Sequence, residues 1–474
     1  MMSRNASMAA LAVAAALPLA APAALSAEGA PALEARAAGW VATSAYCRPA
    51  AADPLAAAGL RGGLALDGTA FGAAGFRLAL EGYANLAGLA DGASWEAGSP
   101  YPLSVAATGN GRLVGALDLK EAWIDFALGD LDARIGKQVL AWGLADGSNP
   151  TDNLDARHVG TRLVSTLDEQ KMGTIAANVV YNLPGNLGSI QGVFMPLSIP
   201  NDMPSIAMDR TVSSPPTSQR IVIEEDEAPS WSFDNVEGGF RALLYLGNLS
   251  LSGSWLSCLD RYPDFSVAYS GSFPAFTTRI TPFHSRVQQF GLDAAWLVGG
   301  FDLRSEWALT MTADSSGEDP ALRNSALSGV LQASRSFLDG KLSASLAWSP
   351  RLVVGHKDAA DYPAAGDRYL ASMLAAYNGQ AYAFEQVGSA RLSAKLLGET
   401  LQPEALFLAE LAARDYLATA SVSYNVADGV NLKAGGGVYG SFREAGDPER
   451  EWGTFSNSRI IDNDYLFVEL RLSY

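Results

Sequence analysis

The chain is short of the residues that most enzymes and metal sites are built from. Among 474 residues there are only two cysteines, Cys47 and Cys258, and three histidines, His158, His284 and His356. None of these lies at metal-ligand spacing from another His, Cys or carboxylate, so no cofactor or metal is expected and no enzymatic activity is assigned. Basic residues are also scarce, 33 against 50 acidic, giving a net charge of -17 and making nucleic acid an unlikely partner. Past the amino-terminus no stretch reaches the ~18 uninterrupted apolar residues that a membrane-crossing helix requires. The glycine triplet Gly435-Gly436-Gly437 lacks the strand-to-helix setting of a phosphate loop and reads as room for a neighbouring side chain or a bend.

What the chain does have is alternation. Hydrophobic residues make up 49% of it, yet they are dispersed in period two between 47 glycines rather than gathered into runs. Successive side chains of a strand point to opposite faces, so period two means one apolar and one polar face. After Gly300, Phe301, Leu303, Trp307, Leu309 and Met311 oppose Asp302, Arg304 and Glu306. After Gly340, Leu342, Ala344, Leu346 and Trp348 oppose Lys341, Ser343, Ser345 and Ser349. After Asp428, Val430, Leu432, Ala434 and Val438 oppose Asn431, Lys433 and Tyr439. Turn signals punctuate the pattern at Gly129-Asp130, Pro184-Gly185-Asn186, Gly247-Asn248, Gly299-Gly300, Asp339-Gly340 and Asp428-Gly429.

Counting the segments predicts an all-β chain, a single antiparallel transmembrane β-barrel of eighteen strands, with sixteen as the alternative because 35–47 and 401–412 are poorly patterned. Long polar stretches at 89–112, 143–171, 197–233, 259–283, 313–323, 353–385 and 443–461 alternate with the short turns, as external loops alternate with periplasmic turns. The run Glu224-Glu225-Asp226-Glu227 falls in one of them, as solvated surface or as a cation or gating element. A soluble sandwich would share the alternation. It would not explain an amino-terminus with Arg4, an alanine-rich run from Met8 to Ala24 and small residues at Leu25-Ser26-Ala27, which reads as an export signal over 1–27 ahead of a barrel over 28–474.

The last strand is the clearest. Leu466, Val468, Leu470, Leu472 and Tyr474 share one face, and Tyr465, Phe467, Glu469, Arg471 and Ser473 the other. A strand so patterned, ending on an aromatic carboxy-terminus, resembles the closing strand of Gram-negative outer-membrane barrels. That resemblance implies outer-membrane lipid and the barrel-assembly machinery, acting through this strand, as partners. It leaves the oligomeric state open.

Residues 121–143 read EAWIDFALGDLDARIGKQVLAWG. Glu121, Trp123, Asp125, Gly129, Asp130, Arg134, Gly136, Lys137, Gln138, Trp142 and Gly143 make this hairpin similar to the best-marked stretch of a little-characterised family of porin-like barrels of proteobacteria and spirochaetes. That family commonly continues with an acidic residue and then an Asn-Pro element, which Asp146 and Asn149-Pro150 match in type but not in spacing. Parity puts Glu121, Trp123, Asp125, Arg134 and Gln138 inside and Lys137 on the lipid side, so Lys137 either snorkels to a membrane edge or marks a bulge.

The expected lumen-lining set is Glu121, Asp125, Arg134, Gln138, Asp302, Arg304, Glu306, Arg391, Lys395, Lys433, Glu469 and Arg471. Its mixed signs suit a passive channel for small solutes. A plugged carrier of hydrophobic molecules would use inward aromatics such as Tyr439, Tyr465 and Phe467, closed by residues 28–34 or by an inward loop. A surface adhesion barrel would use the long loops. Both cysteines are expected at the outer rim, bridged or as two free or partly buried thiols.

Overall fold

The computed structural model of the protein describes residues 34–47, 55–70, 74–85, 94–96, 104–109, 112–146, 149–158, 167–202, 208–214, 217–226, 229–363, 366–368, 370–372, 380–444 and 464–474. The expected export signal over 1–27 lies outside the described residues, as do residues 28–33 and most of the 89–112 and 443–461 stretches.

The strands in chain order are β1 Glu34–Cys47, β2 Leu55–Ala70, β3 Ala74–Asn85, β4 Ser94–Glu96, β5 Ser104–Gly109, β6 Arg112–Leu128, β7 Leu131–Gln138 and β8 Thr174–Leu183. They continue as β9 Gly188–Met195, β10 Met208–Ser214, β11 Thr217–Ile223, β12 Glu237–Leu246, β13 Leu249–Leu259, β14 Asp264–Ser272, β15 Ala275–Phe283 and β16 Arg286–Val298. The remainder are β17 Phe301–Met311, β18 Ala326–Phe337, β19 Leu342–Val353, β20 Phe384–Ala394, β21 Leu401–Glu410, β22 Asp415–Ala427, β23 Val430–Ser441 and β24 Tyr465–Ser473.

Eighteen of these form a closed antiparallel ring: β1, β2, β3, β6 to β9, β12, β13 and β16 to β24, each paired with its neighbour in that order. Closure comes from β1 on β24, in register from Trp40 opposite Ser473 to Cys47 opposite Leu466. Closure removes every unpaired edge from the ring, which is what lets a sheet cross lipid. Among the described residues no helix is long and apolar enough to cross a membrane. The outward face is apolar: Ile124 is 53% exposed, Leu346 64% and Leu466 57%. In a soluble protein such a surface would be a liability; here it is the face that meets acyl chains.

The loops depart from expectation in two places. The stretches 197–233 and 259–283 are polar but not irregular: they supply β10, β11, β14 and β15, a second sheet in the order β10-β11-β15-β14 with β11 parallel to β15. Short strands from two separate loops pair only in three dimensions, so no hairpin spacing announced the parallel contact. Ile223, Phe265, Ile280 and Leu370 form its core. The acidic run is held along this sheet: Glu224 accepts hydrogen bonds from Arg279 and Thr281 of β15, and Asp226 pairs at 3.1 Å with His284, just past the end of β15. Burial opposes the charge on His284, but the Asp226 carboxylate and the Asp260 carbonyl outweigh it and raise its pKa above the usual histidine value.

The second departure is a correction. Of the stretch 143–171, expected as an external loop, the described residues 143–146, 149–158 and 167–171 fold into the barrel. The two thiols are free: Cys47 is half-buried, and Cys258 is buried beneath that infolded stretch with Asn153 Nδ2 3.7 Å from its sulfur. Cys258 therefore sits under the infolded chain rather than at an open rim.

Candidate functional site

Leaving β7, the described residues of the 139–173 segment, 139–146, 149–158 and 167–173, meet inward side chains of strands on opposite arcs of the ring and so lie in its interior. On one arc, Glu306 of β17 accepts the backbone N–H groups of Leu144 at 3.0 Å, Ala145 at 3.2 Å and Thr151 at 2.9 Å, and the Thr151 hydroxyl at 2.7 Å. Gln332 of β18 accepts from the N–H of Asp146 at 2.9 Å, and Gln289 of β16 donates to the Pro150 carbonyl at 2.9 Å. On the other arc, Glu169 takes Arg61 of β2 at 3.0 Å and Arg471 of β24 at 3.0 Å.

The local sequence makes this path possible. Gly143 has φ +93, and a Cβ there would come within 2.7 Å of the Glu306 carboxylate, so only glycine lets the backbone approach its anchor. Leu140, Trp142 and Leu154 bury against Ala176, Val193, Met195, Leu256, Cys258 and Val287 of the wall. Arg261 pins the segment by donating to the carbonyls of Leu154 at 2.8 Å and Asn153 at 3.3 Å while paired with buried Glu237 at 2.8 Å. Buried Asp152 takes Lys171 at 2.8 Å and Arg157 at 3.0 Å. Asp155 accepts the Leu140 N–H at 2.6 Å, and burial, only partly offset by Lys171, pushes its pKa up to about 7.

Contacts with this segment identify the inward parity, and the sequence-selected residues can be placed against it. Asp125 and Arg134 pair at 2.9 Å, with the guanidinium 3.8 Å from the Trp123 ring centroid. Glu121 receives Arg77 of β3 at 2.6 Å and the Trp123 indole N–H at 3.2 Å, and Arg77 also reaches Asp67 at 2.8 Å. Arg304 bonds Asp302 at 2.7 Å and Asp146 of the infolded segment at 2.8 Å. Arg391 pairs with Glu404 at 2.6 Å and Lys395 with Glu399 at 3.3 Å. Glu469 holds Arg61 at 2.6 Å, Arg471 holds Glu169, and Lys433 lies 6.0 Å from the Phe467 ring. Gln138 and Glu306 are different, since both are fully buried rather than facing solution: Glu306 holds the segment, while Gln138 donates to the Arg134, Gly136 and Ala176 carbonyls and so ties β7 to β8.

Lys137 resolves as a bulge rather than a snorkelling side chain. The β3–β6 register shifts between Ala79 and Leu80, bringing Lys120 and Asp118 inward, and Lys137 bonds Asp118 at 3.0 Å. Its neighbour Gly136 has φ +130, and a Cβ there would lie 2.7 Å from the Trp123 Cα. Sequence reasoning missed Arg61, Arg77 and Glu169. The first two sit on strands whose parity would have marked them; Glu169 carried no signal, because its role depends on the loop turning inward.

Comparison with known proteins adds fold likeness only. No family profile matches the chain, and no curated protein does. Among solved structures it is similar to OccK9 (OpdG) of Pseudomonas aeruginosa, at 13% identity and TM-score 0.47, over 93% of this chain and 97% of that one. It is also similar to OccAB4 of Acinetobacter baumannii, at 10% identity and TM-score 0.49 over 93% and 97%. A mutant Rh. blastica porin matches at 10% identity and TM-score 0.40, over 93% and 100%.

Proposed function

We propose that the chain is an outer-membrane channel through which small hydrophilic solutes diffuse, with the described residues of the 139–173 segment forming the constriction. The observation that carries this reading is a closed ring of eighteen strands with an apolar exterior, crossed inside by a segment anchored on opposite arcs. A ring of 16–18 strands is wide enough to hold water, and an infolded segment narrows it without sealing its wall. Arg77, Arg134, Asp125, Glu121, Arg304, Asp302, Arg391, Lys395, Lys433, Glu469 and Arg471 would line the path. Because guanidinium and carboxylate alternate along it, strong selection by charge sign is not expected, and the acidic excess of the chain favours a mild cation preference.

Residues 1–27 would be removed on export, leaving 28–474 as one barrel inserted through its carboxy-terminal strand. The porin-like family suggested by the 121–143 hairpin fits this reading. So does Asp146, which bonds Arg304 at 2.8 Å and Gln332 at 3.1 Å. The experiment is liposome swelling with the refolded chain: neutral solutes of increasing size should enter at decreasing rates, and impermeability to all of them would refute the channel.

A further inference from the structure

The wall beside the β24–β1 closure carries a feature that passive diffusion does not require. Tyr439, Tyr465, Phe467 and Tyr46 form a continuous strip of rings on the inward parity. Their centroids are 6.4 Å apart for Tyr439 and Tyr465, 6.2 Å for Tyr465 and Phe467, and 5.6 Å for Tyr46 and Phe467. Two of the rings lie across glycines on the adjacent strand. Tyr465 is paired with Gly437 and Phe467 with Gly435. A Cβ at Gly437 would come within 2.5 Å of the Tyr465 ring, and one at Gly435 within 2.9 Å of the Phe467 ring. The glycines are therefore what allows these rings to lie flat. One face of each rests on backbone, and Tyr439, Tyr465 and Phe467 all stay partly exposed. On the outward face, Gly436 between them lies against the Tyr465 carbonyl oxygen and the Leu466 side chain, so the triplet makes room on both faces of one strand.

One step further along the same face lies a charge chain, Glu469 to Arg61 at 2.6 Å, Arg61 to Glu169 at 3.0 Å and Glu169 to Arg471 at 3.0 Å. Two guanidinium groups and two carboxylates balance, so the chain exerts little net pull on an ion of either sign. It does offer N–H donors and carboxylate acceptors side by side at the end of an apolar ring surface. That combination matches a cyclic sugar: flat C–H faces for the rings, and hydroxyl groups that each donate and accept. An aromatic anion would meet the rings equally well but would find every guanidinium of the chain already answered by a carboxylate.

We infer that this strip, with the Glu469–Arg61–Glu169–Arg471 chain at its end, is a weak binding track for neutral cyclic sugars passing the constriction. The inference rests on the channel reading and specifies its solute class. Weak binding is what transport needs, since a site must release what it admits.

The test is single-channel recording of the refolded chain in planar bilayers, with maltotriose as the sugar and benzoate as the aromatic anion. Maltotriose should interrupt the ion current reversibly, with half-saturation on the order of 1–10 mM. The double variant Tyr465→Leu/Phe467→Leu keeps apolar bulk but loses the flat faces, and should weaken the block about tenfold. As a second variant, Gly437→Val should push the Tyr465 ring off the wall and weaken the block similarly. Normal salt conductance with no saturable block by maltotriose would overturn the track and leave the channel standing. Block by benzoate alone would overturn the sugar assignment, and so would a maltotriose block that survives both variants. A folded chain that passes no current would overturn the channel reading and the track with it.

Discussion

Replacing Glu306 by alanine should release the constriction. Its carboxylate accepts three backbone N–H groups and one hydroxyl from residues 144–151 at 2.7 to 3.2 Å, and the side chain is fully buried. Each buried donor left without an acceptor costs about 1–3 kcal/mol, so three orphaned N–H groups disfavour the docked segment by at least ~3 kcal/mol. Since 1.4 kcal/mol is a factor of ten, the docked to undocked ratio should fall by roughly 100-fold or more. The ring itself does not depend on Glu306, whose backbone pairs normally with Asp293 and Val330. Two readouts report undocking. Single-channel conductance should rise and flicker more, and in a Cys47→Ser background Cys258, buried under Leu154 and Asn153, should become reactive to a water-soluble maleimide. Glu306→Gln keeps one acceptor oxygen and should fall between wild type and alanine. A folded Glu306→Ala barrel with unchanged conductance and an unreactive Cys258 would refute the assignment of 139–173 as an anchored constriction.

Three further outcomes are expected. Arg134→Ala leaves Asp125 without its 2.9 Å partner, so the reversal potential in a KCl gradient should shift towards cation preference, more strongly at 0.1 M than at 1 M salt; no shift would confine Arg134 to a structural part. Asp155, raised to about 7, binds a proton in the docked segment that it would lose when released, so docking is strongest at low pH and weakens as pH rises through about 7. Channel flicker should therefore increase from pH 6 to pH 8, and Asp155→Asn should flatten the profile. His284, raised by Asp226 despite its burial, stabilises the second sheet below its folded pKa and loses that contribution as pH rises through it. Proteolysis of residues 217–283 should thus accelerate at alkaline pH, and Asp226→Asn should remove the dependence.

The wall was legible because each strand carries its own evidence. Leu342 to Trp348 against Ser343 to Ser349, or Leu466 to Leu472 against Phe467 to Arg471, state which face meets lipid without reference to any neighbour, and closure is the outcome once all segments alternate. The poorly patterned 35–47 and 401–412 also pair as strands, β1 with β2 and β24, and β21 with β20 and β22. The constriction was not legible. Polar residues such as Asp146, Asp152, Asp155 and Glu169 look the same whether they face solvent or are buried against Arg304, Lys171 and Arg61, and only the fold supplies those partners. Leu140 and Trp142 fell ahead of the expected loop, so the hint lay in apolar residues inside it such as Leu144 and Leu154, which an external loop has little reason to carry. The second sheet escaped for a related reason: the parallel pairing of 218–223 with 275–280 joins two loops distant in sequence. Lys137 was recognised as anomalous from parity alone, but choosing the bulge required Gly136 and the shifted register at Ala79.

The most direct test is the current passed by the chain lacking residues 1–27 after refolding and insertion into a planar bilayer. Discrete, stable conductance steps that grow when Glu306 is replaced by alanine are the predicted result. A folded, heat-modifiable barrel that inserts and yet gives no steps in either form would contradict a water-filled ring narrowed by residues 139–173.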